Sequence, residues 1–569
     1  MIQVDSFAAD CAALGAAVRG GGGDFERRAQ EAFLRARFGY KRFEWAAETF
    51  DPSAALAVNG PPVREVEKSG LVHDPTGLQL IETWLFPTVD TTKKKDLAHQ
   101  VEILLAAAER FRSHFINIDI LEGQVFDAAK LEVFRVMTLG ITGFDNPLTL
   151  HSSTESAAAL QSLQEVLGHY PDKSAAAEVS ATNAASSVTA LGAAVQYLST
   201  HPDFNSFDRA AFITNYANPL SVAISNQETA LNVHVIRYNR LLNQDAKTLF
   251  DTGAFNINAY SPGPAAFSTP AKVILGQKLF ADPSLSLTGT RSCQSCHQPD
   301  KAFTDGLVKN TVLTGKDMLP RNTPTLINAA LQPAQFYDMR VPTLEDQAVA
   351  VVQNNAEMHG DMKLSVQRLW RDSSYRHLFS AAFPHEGRTA IDTFEVMNAI
   401  GCYVRSLVAL NSRFDEYMRG DHSALTPTEV NGFNLFMGKA RCGTCHYMPI
   451  FNGAFPPRFV KVDAEVIGVP QDPAGRRIDP DRGRYEVVKD ESFLHGFKAP
   501  TVRNVARTGP YMHNGVYASL EQVVDFYNKG GGAGLGLKID NQTLPFNKLD
   551  LTEKERADLV AFMKCLDSK

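Results

Sequence analysis

The sequence predicts a mainly α-helical protein, in which an N-terminal helical bundle precedes two smaller domains made of short helices and long loops. Three observations support this fold class. Residues 1–250 are rich in alanine and carry apolar residues at helical spacing, for example along 26–48 and 97–115. Residues 256–269 contain two prolines and several small residues, which is typical of a linker. Beyond this stretch, glycine, proline and asparagine interrupt the helical patterns at short intervals.

These changes in composition and residue pattern divide the chain into four segments. We expect a helical domain over residues 1–255, a linker over 256–270, and two further domains over 271–425 and 426–569. A length of 569 residues is ordinarily shared among roughly two to four domains. The apolar fraction of 44% and the charged fraction of 21% are typical of a globular protein.

The charge pattern and the N-terminus exclude several classes of protein. The net charge is -7 and no block of lysine and arginine is present, so the sequence predicts no nucleic-acid partner. No apolar run approaches the roughly 20 residues that cross a bilayer. The first residues lack the basic and apolar regions of a secretory signal, which taken alone indicates a cytosolic protein.

Two pentapeptides of the form Cys-x-x-Cys-His, at residues 293–297 and 442–446, carry the clearest chemistry. Two thiols on one turn can both add to the vinyl groups of a haem, and the adjacent histidine then faces the iron. We therefore predict two covalently bound haem c groups. The predicted attachment residues are Cys293, Cys296, Cys442 and Cys445, and the predicted iron ligands are His297 and His446.

Two other interpretations of the cysteine pairs remain open at this point. A zinc site could use all four cysteines, although its pairs usually lie much closer in sequence and need no histidine after each second cysteine. A thioredoxin-like redox pair would need a βαβ pattern around it, and neither motif has one. Cys11, Cys402 and Cys565 are scattered and suggest no disulfide framework.

The haem motifs also bear on localisation. Haem c is attached outside the cytoplasm in bacteria, so we expect a periplasmic or exported protein whose leader has been removed from the given sequence. This expectation conflicts with the plain N-terminus, and the sequence alone does not resolve the conflict.

Five stretches around the two motifs match a known family in content and order. They are Leu-Gly-Gln-Lys-Leu-Phe-Ala-Asp-Pro at 275–283, Ala-Phe-Thr-Asp-Gly at 302–306, Arg-Asn-Thr-Pro-Thr at 321–325, Phe-Lys-Ala-Pro-Thr-Val-Arg-Asn at 497–504 and Pro-Tyr-Met-His-Asn-Gly at 510–515. Through them, residues 272–566 resemble the bacterial di-haem cytochrome c peroxidases and their MauG-like relatives. The resemblance implies two cytochrome-c-like haem domains.

The resemblance also implies roles for individual residues. The first haem would react with peroxide, and the second would transfer electrons. Gln347 and Glu357 match the distal pocket of the first haem. A carboxylate above an open iron can accept a proton from bound peroxide and return it to the leaving oxygen. The alternative is that Glu357 is a surface glutamate.

A calcium site between the haem domains is a further implication of the resemblance. Asn322, Thr508 and Pro510 match its ligands, and an amide oxygen with backbone carbonyls suits Ca²⁺. The alternative is that Asn322 and Thr508 only cap turns.

The sequence departs from the family's peroxidases at three positions. Residues 307–320 contain no histidine to cap the first iron; Thr314 takes the matching position, which implies an open iron, and His359 is an alternative cap. Tyr527 replaces the methionine ligand of the second haem, as in MauG, and would lower its potential. The alternative is that Met512 or His513 binds that iron. Tyr337 replaces the tryptophan between the haems.

The N-terminal segment offers one weak motif. Gly-Leu-Gln-Leu-Ile-Glu at residues 77–82 faintly resembles the Gly-x-His-x-x-Glu element of imelysin-like helical domains, with Gln79 in place of the histidine. That replacement puts a metal role in doubt. The segment could dock a redox partner, dock a substrate protein or cover the haem cleft.

The leading functional prediction is a peroxidase that reduces hydrogen peroxide at the first haem with electrons delivered through the second, by way of Tyr337. The electron donor would be a small redox protein, either a cytochrome c or a cupredoxin. One alternative is a MauG-like enzyme that uses a high-valent di-haem state to oxidise a partner protein. Another is a non-enzymatic electron carrier with no reaction toward peroxide.

Overall fold

The computed structural model describes residues 1–20, 24–66, 72–170, 186–385, 389–545 and 547–568. Helices dominate these ranges, and the strands within them span only two residues each. The prediction of a mainly α protein is therefore confirmed. No helix of these described ranges combines the length and the apolar character needed to cross a bilayer.

The chain forms two compact units. The N-terminal unit comprises residues 1–238, 244–251 and 434–444, and the C-terminal unit comprises 239–243, 252–433 and 445–569. The short piece 434–444 carries Cys442, so the second haem motif lies where the chain passes from one unit to the other. The domain boundaries predicted at residues 255, 270 and 425 stay predictions.

The N-terminal unit consists of helices and one two-stranded antiparallel ribbon. Its helices are α1 (Ile2–Arg19), α2 (Phe25–Lys41), α3 (Glu44–Phe50), α4 (Pro52–Asn59), α5 (Leu78–Leu85), α6 (Lys94–Asn117), α7 (Glu122–Thr138), α8 (Ser152–Leu167), α9 (Ser187–Thr200), α10 (Arg209–Phe212) and α11 (Asn218–Ala230). The ribbon pairs β1 (Glu65–Val66) with β2 (Val72–His73).

An apolar core and a buried charge network hold this unit together. Phe7, Phe33 and Phe111 are fully buried among α1, α2 and α6. Buried charged side chains are paired. For example, Arg37 donates to both carboxylate oxygens of Glu155 at 2.7 Å. Since an unpaired buried charge is very costly, such pairing is a condition of folding.

The weak motif at residues 77–82 lies inside this network. Gln79 and Glu82 are 1% and 0% exposed. The side-chain amide of Gln79 donates to the carbonyl of Asn59 at 3.0 Å, and Glu82 accepts from the backbone and hydroxyl of Thr149 at 2.8 and 2.7 Å. Both side chains are therefore engaged in bonds that stabilise the bundle, and the imelysin-like resemblance stays a prediction.

The C-terminal unit has short helices separated by long loops. Its helices are α12 (Pro270–Ala281), α13 (Leu344–Gln353), α14 (Met362–Arg371), α15 (Ser373–Ala382), α16 (Thr393–Ser406), α17 (Arg413–Met418), α18 (Pro427–Phe436, of which the last three residues belong to the other unit), α19 (Tyr485–Val488), α20 (Leu520–Asn528), α21 (Gly531–Gly534) and α22 (Glu553–Cys565). Two strands, β3 (Ala464–Glu465) and β4 (Phe497–Lys498), pair antiparallel.

The crossing of α12 and α16 forms one wall of this unit's core. Gly276 lies where the two helices meet, and a Cβ atom at that position would come within 1.9 Å of the carbonyl oxygen of Ala399. Only glycine permits so close an approach of two backbones. The crossing places Phe280 against Tyr403, with ring centroids 5.1 Å apart.

A buried ion pair supports the loop that follows the second haem motif. Arg503 donates to both carboxylate oxygens of Asp415 at 2.7 Å and to the carbonyl of Pro449 at 2.7 Å. Burial alone would raise the pKa of Asp415, but the guanidinium outweighs burial and holds that pKa below its usual value. The pair therefore stabilises the fold above the pKa of an unfolded aspartate, and this contribution is lost as the pH falls below it.

Replacing Gly276 with alanine should destabilise the C-terminal unit by about 1–3 kcal/mol, because the added methyl group overpacks the α12–α16 crossing. Calorimetry of the holo-protein measures the shift of the unfolding transition. Gly263→Ala is the matched control, since nothing lies within 4 Å of its Cβ position. Equal transitions for the two variants would contradict the close-approach argument.

Replacing Asp415 with asparagine should cost about 3–5 kcal/mol, because it leaves Arg503 buried without its counter-ion. Asp525→Asn removes a carboxylate that pairs with Lys529 where the side chains are 38% and 51% exposed. That control should change stability by about 1 kcal/mol or less. A loss for Asp415→Asn no larger than for the control would show that Arg503 does not depend on this carboxylate.

Candidate functional site

The first Cys-x-x-Cys-His motif forms a single tight turn. A short 3₁₀ helix spans Cys293–Ser295, and the backbone N–H of His297 donates to the carbonyl of Cys293 at 2.9 Å. The hydroxyl of Ser295 accepts from the backbone N–H of Ser292 at 3.0 Å and closes the start of the turn. This local geometry turns both thiols and the imidazole toward the same space.

That space is a cavity of about 80 Å³ inside the C-terminal unit. Its walls are largely apolar, with a few polar groups at one side. The lining includes Cys293, Cys296, His297, Gln347, Glu357, Phe280, Leu319, Leu326, Leu344, Val351, Val352, Met358, Ile400 and Val404. Five of the side chains predicted from sequence to serve the first haem therefore surround one cavity.

The ring of His297 is oriented by a backbone carbonyl. Its Nδ1 lies 3.0 Å from the oxygen of Phe303, and since a carbonyl only accepts, Nδ1 carries the proton and Nε2 presents its lone pair. Burial lowers the pKa of His297, which keeps the ring neutral. Ala302 and Phe303 adopt left-handed backbone angles, with φ of 53° and 58°. The turn thus carries strain of about 1–3 kcal/mol per residue that aims the carbonyl at the ring.

Glu357 lies on the turn that follows α13. The amide of Asn354 donates to its Oε1 at 2.7 Å, and Arg291 donates to its backbone carbonyl at 3.3 Å. Burial raises the pKa of Glu357, although Asn354 and two nearby arginines oppose the shift. His359, the alternative cap, is exposed and is not among the described residues that line the cavity.

A second cavity, of about 110 Å³, lies beside the first in the same unit. Gln347 and Leu326 line both cavities and so form the wall between them. Tyr337 lines the second cavity and stands on the far side of that wall from His297. The predicted calcium ligands line it too, namely Asn322, Thr508 and Pro510.

Tyr337 occupies a buried and charged neighbourhood. Burial raises the pKa of its phenol well above the usual value, with Arg321 opposing that shift. Asp338, the next residue, accepts from Arg321 at 2.6 Å and from Arg340 at 2.9 Å. The phenol is therefore protonated at neutral pH.

Hydrogen bonds of the predicted calcium residues indicate which of their oxygen atoms remain available as ligands. The side-chain nitrogen of Asn322 donates to the carbonyls of Leu307 and Val308 at 2.8 and 3.3 Å, which leaves the amide oxygen as the remaining ligand atom. The hydroxyl of Thr508 donates to the carbonyl of Val505 at 3.4 Å. Oxygen donors of this kind suit calcium.

The second motif repeats the orientation of the first. Residues Cys442–Thr444 form a 3₁₀ turn, and Nδ1 of His446 lies 2.9 Å from the carbonyl oxygen of Pro500. Burial lowers the pKa of His446. The carbonyl of Pro500 therefore orients this ring as the carbonyl of Phe303 orients that of His297.

The three candidates for the opposite face of the second haem have different surroundings. His513 is buried, stacks on Phe497 with ring centroids 3.7 Å apart, and faces Asp479 at 3.3 Å. Met512 lines the second cavity together with Tyr337. Tyr527 lies near the end of α20 and is partly buried. His513 is therefore engaged by other groups, whereas Tyr527 stays the proposed ligand and Met512 stays an alternative.

Haem fits the residues that surround the first cavity. Two thiols three residues apart, a neutral imidazole oriented through Nδ1 and an apolar wall are what a covalently bound haem requires. Among the described residues, no group of three or more His, Cys, Asp and Glu side chains is arranged to hold a metal ion by itself. That finding gives no support to the four-cysteine zinc interpretation.

Sequence reasoning missed three residues of this region. Asn354 and Arg291 fix the turn of Glu357, and Lys498 lines the second cavity. Lys498 falls within the matched stretch 497–504, which was the one available signal. Its burial depends on contacts with a loop far away in sequence, which no local pattern reports.

Comparisons with known proteins agree with the site. A family model described as di-haem cytochrome c peroxidase matches residues 270–423. The methylamine utilization protein MauG of Methylorubrum extorquens is 37% identical over 301 residues, which cover 53% of this chain and 79% of that protein. The cytochrome c551 peroxidase of Pseudomonas aeruginosa is 37% identical over 269 residues, which cover 47% and 73%. The chain therefore belongs to the di-haem cytochrome c peroxidase and MauG family of oxidoreductases.

Proposed function

We propose that the protein reduces hydrogen peroxide at the haem held by His297, with electrons delivered through the haem held by His446. The observation that carries this proposal is the first cavity, where Cys293, Cys296, His297, Gln347 and Glu357 converge. An attachment site, an iron ligand and an acid–base group around one space are the parts that peroxide cleavage needs. The family of the chain contains both peroxidases and MauG proteins.

The haem irons, when bound, supply the electrons that reduce peroxide. The chain's own residues transfer the protons and hold the reacting groups in position. Glu357 accepts a proton from the entering peroxide and returns it to the departing oxygen, and a pKa raised by burial brings the carboxyl nearer to the pH at which it must do both. Asn354 holds Oε1 of Glu357 at 2.7 Å, and Gln347 adds an amide to the cavity wall.

The face of the first haem opposite His297 is open to peroxide in this proposal. Residues 307–320 contain no histidine, and His359 is exposed. The enzyme then needs no reductive step to expel a capping ligand before it reacts.

Electrons would reach the first haem by way of Tyr337. Its cavity adjoins that of the first haem across Gln347. The donor would be a small redox protein, a cytochrome c or a cupredoxin. Calcium bound by Asn322, Thr508 and Pro510 would stiffen the same cavity. Since haem c is attached outside the cytoplasm, we place the enzyme in the periplasm or among exported proteins.

The second candidate function is that of a MauG-like enzyme, which would oxidise a residue of a partner protein. Tyr527 and Thr314, at positions where the family's peroxidases carry methionine and histidine, favour it. A tyrosine ligand favours ferric iron and would lower the potential of the second haem. That potential would make electron uptake from an ordinary cytochrome c less favourable.

Glu357→Gln should slow the reaction with hydrogen peroxide by roughly 10²–10⁴-fold, because glutamine cannot exchange the proton. Stopped-flow absorbance of the oxidised holo-protein measures this rate, and steady-state turnover with reduced cytochrome c or a reduced cupredoxin measures donor use. Asp300→Asn, which changes an exposed carboxylate in the same unit, is the control and should leave both rates unchanged.

The pH profile gives the same proposal a second check. In the wild-type protein the rate should fall toward acid pH with a midpoint above the usual value for glutamate, and Glu357→Gln should lose that midpoint. An unchanged rate in Glu357→Gln would refute the acid–base role. Fast reaction with peroxide but no turnover with either donor would favour the protein-oxidising alternative, and no reaction at all would favour an electron carrier.

A further inference from the structure

Both the backbone and the side-chain amine of Lys498 are hydrogen-bonded to the loop that carries Tyr337. Its backbone N–H donates to the carbonyl of Tyr337 at 2.8 Å, and its Nζ donates to the carbonyl of Ala334 at 2.9 Å. The residue is 8% exposed and belongs to β4, which pairs with β3. A side chain that is normally a solvated surface cation is thus held inside the unit beside the proposed electron relay.

The nearest carboxylate does not pair with this amine. Asp338 is already engaged by Arg321 at 2.6 Å and Arg340 at 2.9 Å, and Arg484 donates to the backbone carbonyl of Asp338 at 2.9 Å. In the described part of the chain, the carbonyl of Ala334 is the hydrogen-bond partner of Nζ. Within the described ranges, Lys498 therefore has no counter-ion of its own.

Burial without a counter-ion changes the protonation of this lysine. Desolvation lowers the pKa of Lys498 to about 7, and the charge of Asp338 offsets only part of that effect. Glu465, on the paired strand β3, is engaged by the hydroxyl of Thr543 at 2.6 Å. Near neutral pH a substantial fraction of Lys498 is thus a neutral amine with a lone pair available.

Lys498 and Tyr337 line the same cavity. Its volume of about 110 Å³ leaves room for water, because one buried water needs roughly 10–15 Å³ of such space. Polar side chains around it, including Gln347 and Gln332, can hold such water beside the proposed calcium site. Water held there would connect the phenol to the amine.

Electron relay through Tyr337 requires such an acceptor. The phenol is protonated, and its oxidation to a neutral radical breaks the O–H bond. Asp305, a carboxylate near this phenol, already accepts from the backbone of Leu307 at 2.9 Å and from Asn310 and Thr323 at 2.8 and 2.7 Å. Lys498 is the group on the cavity wall that can take the proton.

We propose that Lys498 is the proton acceptor for Tyr337 during electron relay, acting through water in their shared cavity. The inference rests on the proposed role of Tyr337. One electron leaves Tyr337 for the haem pair that peroxide has oxidised, its phenolic O–H bond breaks, and an N–H bond forms on Lys498. When an electron from the donor protein returns to Tyr337, the proton returns to the phenol.

The test compares Lys498→Arg, Lys498→Met and Tyr337→Phe in the full-length protein with both haems, checked by haem content and thermal unfolding. Rapid-freeze EPR after addition of hydrogen peroxide follows the tyrosyl radical. Wild-type protein should form a signal that Tyr337→Phe lacks. Both lysine variants should form it roughly a hundredfold more slowly, because neither arginine nor methionine accepts a proton. Arginine still donates to Ala334, so a purely structural role would be rescued by it.

The pH profile separates the outcomes further. The wild-type rate should rise between about pH 6 and about pH 8, as the amine loses its proton, and the Lys498→Arg profile should be flat. A wild-type rate and profile in Lys498→Arg, with the signal lost in Tyr337→Phe, would overturn the role of Lys498 alone. An unchanged signal in Tyr337→Phe would overturn the relay through Tyr337 and this inference with it. If Lys498→Met fails to bind both haems, Lys498→Arg and the wild-type profile decide.

Discussion

Two hydrogen bonds from imidazole to backbone carbonyl set the geometry on which the C-terminal unit depends. His297 is aimed by Phe303 at 3.0 Å, and His446 by Pro500 at 2.9 Å. Each bond places the proton of the neutral ring on Nδ1 and orients the plane of the ring. A rotation of either ring would misplace the iron relative to the residues on the opposite side of the haem.

Other elements of the unit position those two carbonyls or form the walls of the cavity that the ring of His297 faces. The strained turn at Ala302 and Phe303 aims one of them. The ion pair of Arg503 with Asp415 stabilises the segment just beyond Pro500. Helices α12, α13 and α16 supply the apolar wall of the first cavity. A haem held at the first cavity would be enclosed better by loops that follow its shape than by long helices.

The sequence was sufficient for the parts of the site that are local in the chain. A motif of five residues predicts the turn, the thiols and the ring of His297. The alanine content and the apolar spacing of residues 1–250 predict helices. Matching to a family supplied Gln347, Glu357 and Tyr337, and the structure brings the first two to the cavity of His297. Tyr527 and the calcium residues stay proposals, because no distance to an iron or a calcium ion decides them.

Long-range contacts could not be predicted from the sequence. Gly276 looks like an ordinary helical glycine until Ala399 is found opposite it. Lys498 looks like a surface lysine until its amine is found on the carbonyl of Ala334, 164 residues away. The assignment of residues 434–444 to the N-terminal unit likewise has no signature in the composition. In each case the deciding contact joins segments that are distant in sequence.

We propose that the two haems are not equivalent, one with an open iron that meets peroxide and one with both faces bound. EPR of the resting, fully oxidised protein with both haems tests this most directly. We expect one high-spin and one low-spin ferric signal of equal weight, with the high-spin signal lost on addition of one equivalent of hydrogen peroxide. Two low-spin signals that do not respond to peroxide would contradict it.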